Sequence, residues 1–105
     1  MLKINRVNSK VDYDELYDVL VDDLVVMKVG NNAIGQADIK SGKHILQVKS
    51  KNYISNKIKF NIGDGEILEY LVEPDYLDNK FSKFITKTLY GKVGIKVTLK
   101  SDIYI

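Results

Sequence analysis

Val93, Ile95, Val97 and Leu99 alternate with Lys92, Lys96, Thr98 and Lys100 near the C-terminus of this chain. Side chains that change character at every second residue match the pleat of a β-strand, whose neighbours point to opposite faces. The pattern recurs. Ile58, Phe60 and Ile62 oppose Lys57, Lys59 and Asn61; His44, Leu46 and Val48 oppose Lys43, Gln47 and Lys49; Leu2 and Ile4 oppose Lys3 and Asn5. In 66–73, Leu68, Tyr70 and Val72 share one face, while the other mixes Glu69 and Glu73 with Ile67 and Leu71. Composition agrees: eleven Val, twelve Ile and three Thr stand against two Ala, the reverse of a helical bundle.

Turn residues separate these runs at Gly30-Asn31-Asn32, Ser41-Gly42 and Gly63-Asp64-Gly65, and Pro74 follows the strand at 66–73. Breaks at this spacing, in a single-domain length of 105 residues, predict an all-β fold. The expected form is an antiparallel Ig-like β-sandwich of seven or eight strands. Its expected core is Val19, Val21, Leu46, Val48, Ile58, Phe60, Ile62, Leu68, Tyr70, Val72, Val93, Ile95, Val97 and Leu99. One stretch reads differently. Phe81, Phe84, Ile85 and Leu89 fall at helical spacing, with Asp78 as N-cap, Gly91 beyond the end, and Lys80, Lys83 and Lys87 facing away. This predicts one short helix, about 79–90, before the last strand, packed on the sandwich or lying on an anionic membrane or partner. Residues 13–24 fit both a helical stripe and a strand.

Tyr17-Asp-Val-Leu-Val-Asp-Asp23, then Ile39-Lys-Ser-Gly-Lys-His-Ile-Leu-Gln-Val-Lys49 and Tyr53-Ile-Ser55, resemble PEGA-like domains, small bacterial β-sandwiches. Val21-Asp22-Asp23 takes the place of that pattern's Val-Asp-Gly, and Ser41-Gly42-Lys43-His44 that of its Pro-Gly-x-His. The likeness spans about residues 15–73, with Asp23 for the usual Gly and Ser41 for Pro; the tetrapeptide that names the family is missing. It implies that 17–22 is a strand turning through Asp22-Asp23 into 24–29. It also implies an appended binding or structural module rather than an enzyme.

The residue inventory excludes much chemistry. With no Cys there is no disulfide, cysteine-ligated zinc, iron–sulfur cluster or thiol nucleophile. His44 is the single imidazole. It reads either as a general base or as a turn residue satisfied by a main-chain carbonyl, and no nucleophile or orienting group accompanies it. Asp22 and Asp23, with Asp64 and Glu66, offer oxygen ligands but no Asp-x-Asp-x-Asp-Gly loop, and Gly63-Asp-Gly65 lacks the lysine and helix of a phosphate loop. No catalytic residue, metal or cofactor is therefore expected. The seven Tyr serve either as rims of the core or as a stacking platform.

Net charge is +2, from fifteen Lys and a single Arg against fourteen acids, a poor match to nucleic-acid readers, which lean on Arg. Acids cluster at 11–23 and 64–78, lysines at 40–59 and 80–100; the blocks would compensate one another as neighbouring strands, or leave a basic face for an acidic partner. MLKINRVNSK lacks the apolar run of a signal peptide and no window reaches the length of a membrane span, so a cytoplasmic location is expected. The functional expectation is a non-catalytic protein-interaction or structural module, self-associating through Ile67, Glu69, Leu71 and Glu73. The alternative is a binding module for carbohydrate or an anionic surface, using Tyr and Lys side chains.

Overall fold

Alternating runs bounded by turn residues become strands in the computed structural model, which describes residues 1–9, 13–51, 53–74 and 93–104. They are β1 (Leu2–Arg6), β2 (Tyr17–Val21), β3 (Leu24–Val29), β4 (Ile34–Ala37), β5 (Gly42–Lys49), β6 (Ile54–Ser55), β7 (Ile58–Ile62), β8 (Glu66–Pro74) and β9 (Val93–Tyr104). The fold is all-β, and the ambiguous stretch 13–24 contains strand β2. The helix expected at 79–90 lies outside the described residues.

The pairing differs from the expected antiparallel sandwich. Nine strands join one mixed sheet, in the order β3, β2, β5, β6, β9, β8, β1, β4, with β7 beside β5. β1 runs parallel to β8, and β6 parallel to β9. Short turns dictate antiparallel neighbours only between consecutive strands, whereas these two seams join segments far apart in sequence. The ends of the path approach each other without closing the hydrogen-bonded ladder. A Cβ on Gly35 of β4 would stand 2.7 Å from Met27 Sδ and 3.1 Å from Val29 Cγ2 of β3, so the sheet is nearly a barrel.

The turns have the chemistry their geometry needs. Asp22 and Asp23 both take positive φ, 53° and 67°, the two-residue turn whose twist suits a hairpin between β2 and β3. Gly65 (φ 75°) closes the β7–β8 turn, where Gly63 N donates to Glu66 Oε1 at 2.7 Å.

The inner faces meet in a core of Leu2, Ile4, Val19, Leu46, Val48, Ile62 and Val72, all essentially inaccessible, with Val21, Phe60, Leu68, Tyr70 and Ile95 also buried. Ile58 and Val97 are partly buried, and the side chain of Val93 lies outside the description. Leu99 departs from expectation at 52 % exposed. Between Glu69↔Ser101 and Tyr70↔Leu99 the β8–β9 register slips by one residue, so the bulge falls at Lys100, directly beside Leu99. A charge is buried beside this core: Arg6 is 1 % exposed, its Nη1 donating to the carbonyls of Glu15 and Val29.

Candidate functional site

The β2–β3 turn, β5 and β7 converge on an open groove of about 600 Å³ lined by Asp22, Lys43, His44, Ile45, Lys59, Phe60 and Asn61. Antiparallel pairing of β5 with β7 puts His44 opposite Phe60 on the inner side, ring centroids 5.5 Å apart. On the outer side Lys43 stands opposite Asn61 and Ile45 opposite Lys59.

His44 is fully engaged. Its Nδ1 lies 2.6 Å from Asp22 Oδ2 and its Nε2 lies 2.6 Å from the Lys40 carbonyl. A carbonyl oxygen only accepts, so Nε2 carries a proton; a carboxylate only accepts, so Nδ1 carries one too. The imidazolium satisfies both contacts at once. The Asp22 hydrogen bond, then the Lys40 carbonyl, push the imidazole above its ordinary 6.5. Reciprocally, His44 and then the Ile45 N–H hold the Asp22 carboxyl below its ordinary 3.8. Asp22 Oδ1 accepts from Ile45 N at 2.9 Å, and Asp22 N donates to the Ile45 carbonyl at 2.9 Å. The turn is thus latched onto β5 by side chain and backbone together. With both ring nitrogens engaged, His44 holds the β2–β3 turn against β5. The carboxylate oxygens of Asp22 are likewise engaged by protein donors, and no cluster of three ligating side chains occurs among the described residues.

The two charge blocks behave differently. Acidic β8 and basic β9 compensate as expected: Glu73 pairs in register with Lys96, and Lys100 Nζ lies 3.2 Å from Glu69 Oε2. The 40–59 lysine block, by contrast, folds on itself, because β5 takes β7 as a neighbour. Lys43 and Lys59 lie diagonally across this pair, both exposed, and among the described residues neither has a carboxylate within ion-pair distance. Lys57, one residue before β7, reaches Asp23 at 3.9 Å, while Lys49 has Asp18 opposite it on β2.

Ile67, Glu69, Leu71 and Glu73 lie on one face of β8, between β1 and β9, in the middle of the sheet. All four are half-buried. Burial alone would raise the Glu69 carboxyl, but hydrogen bonds from Asn5 and Lys100 outweigh it and hold the group below its ordinary 4.5. These residues form a patch, but a central one already knit to its neighbours. The tyrosines do not gather into a platform among the described residues: Tyr17 and Tyr70 are buried, Tyr53 packs on Gly94, and Tyr13 is exposed.

Sequence reasoning missed the Asp22–His44 pair, and it offered the 40–59 lysines as a basic face without bringing Lys43 and Lys59 together across one strand pair. The first joins residues 22 positions apart through β2–β5 pairing, which no local pattern announces. The second was open to inference, since runs adjacent in sequence commonly pair in space. No protein-family model, curated protein or solved structure matches the chain.

Proposed function

We propose that this chain is a non-catalytic interaction module whose working surface is the lysine face of β5 and β7 and whose partner is an acidic protein surface. The observation that carries the reading is the juxtaposition of like charges. Lys43 and Lys59 sit diagonally across one strand pair, and among the described residues neither has a carboxylate within ion-pair distance, a like-charge arrangement that an anion docking there relieves. The engagement of both His44 nitrogens supports the non-catalytic part, and the half-buried, central position of Ile67 and Leu71 moves the interaction away from β8. A PEGA-like module fits this reading. Its two turn motifs correspond to Asp22-Asp23, which closes the β2–β3 hairpin, and Ser41-Gly42, which opens β5, although the parallel seams depart from an Ig-like antiparallel sandwich. A cytoplasmic setting belongs to the same proposal; no helix among the described residues is long and apolar enough to cross a membrane.

The test is calorimetric titration with poly-L-glutamate. Binding should weaken steeply between about 50 and about 500 mM salt as screening lengths fall. Lys43→Glu/Lys59→Glu should abolish it, and Lys28→Glu on β3 should leave it intact. Binding that ignores the double variant would remove this surface from consideration.

A further inference from the structure

We propose that the outer edge of β7 accepts an extended acidic segment of the partner as an added strand. This deepens the lysine-face reading and rests on it. β7 is the one strand off the main hydrogen-bonded path: among the described residues it pairs with β5 and has no ladder on its other side. A strand so placed presents a row of main-chain donors and acceptors that another chain can complete.

The side chains specify what that chain must be. Lys59 and Asn61 project from the outer face of β7 and Lys57 directly precedes it, while Ile58, Phe60 and Ile62 take the inner face. Same-face residues on a strand repeat at about 6.6–6.8 Å, so carboxylates at alternate positions of an added strand fall beside successive lysines. Apolar residues between them would follow the Ile58–Phe60 side. The occupant is therefore a peptide of alternating acidic and apolar residues. Lysines on an edge strand also have a plainer role: they keep two copies of the same edge from pairing, because like charges would meet. Acidic strand addition uses the same repulsion to reject self-pairing while admitting the opposite charge.

The experiment titrates fluorescein-labelled Glu-Val-Glu-Val-Glu-Val-Glu into the full chain, with two comparison peptides. One replaces every Glu by Lys; the other carries N-methyl groups on alternate backbone nitrogens, which keeps the charge and removes the peptide N–H groups that would donate to the β7 carbonyls. Strand addition predicts binding of the first peptide, none of the lysine peptide, and a loss of about tenfold or more on N-methylation. Hydrogen exchange at Lys59–Asn61 should slow when the first peptide binds. Equal affinity for the N-methylated peptide would overturn strand addition and leave charge docking on the lysine face. Failure of every peptide while poly-L-glutamate binds would also overturn it, and would assign the β7 lysines to edge protection alone. Failure of poly-L-glutamate as well would remove the underlying reading.

Discussion

The guanidinium of Arg6 lies 3.7 Å over the ring of Tyr17, both side chains sealed inside the protein. Arg6 ends β1 and Tyr17 begins β2, so this contact and the bonds to the Glu15 and Val29 carbonyls tie three strands at one end of the sheet. Arg6→Leu leaves buried carbonyls without donors and should cost about 3–5 kcal/mol. Arg6→Lys keeps a charge but loses the planar fork and its stacking, and should cost roughly 1–3 kcal/mol. Urea unfolding of the three proteins measures both.

The Asp22–His44 latch makes stability depend on pH in a defined direction. His44 is raised above 6.5 in the folded protein, so its contribution is complete below 6.5 and is lost as pH climbs through the folded value. Asp22 is lowered below 3.8, so its contribution is complete above 3.8 and is lost as pH falls through the folded value. The latch is therefore fully effective between 3.8 and 6.5. His44→Asn should flatten the decline of stability that sets in as pH rises above 6.5, read as urea midpoints. NMR titration of the ring should report a midpoint above 6.5.

Two neighbouring aspartates should respond oppositely to glycine. Asp23 holds φ 67° and its ion pair with Lys57 is long and exposed, so Asp23→Gly relieves backbone strain and should stabilise by roughly 0.5–1 kcal/mol. Asp22→Gly relieves similar strain but removes the acceptor for His44 and Ile45, and should destabilise. Thermal midpoints of the two variants on either side of wild type would verify the contrast.

Gly94→Ala places a methyl group 2.7 Å from Tyr53 Cδ1, a rigid ring atom, and should cost about 1–3 kcal/mol. Gly35→Ala meets Met27 Sδ at the same distance, but a flexible thioether yields, so the loss should be smaller. A double-mutant cycle with Tyr53→Ala should recover part of the Gly94→Ala loss, because the second substitution removes the clashing ring.

Most of the strands could be read from alternation alone. The runs at 43–49, 56–62 and 66–73 stand within a few residues of β5, β7 and β8, because an amphipathic strand writes its period directly into its own residues. The His44 environment was half legible: a carbonyl partner was foreseeable for a turn histidine, while Asp22 arrives from another strand. Arg6 gave no local sign of burial, since its acceptors come from residues 9 and 23 positions away.

What the residues alone determined was an all-β chain, the positions of its turns, and a functional inventory without cysteine chemistry or a histidine cluster. The tertiary structure decided which strands became neighbours. β1 joined β8 across more than sixty residues, β9 slipped register beside Leu99, which stayed exposed, and two lysine-bearing strands came to lie side by side. Alternation states which face of a strand is apolar and is silent about its partner. Partner choice rests on how all the apolar faces close around one core at once, and that is a property of the whole chain.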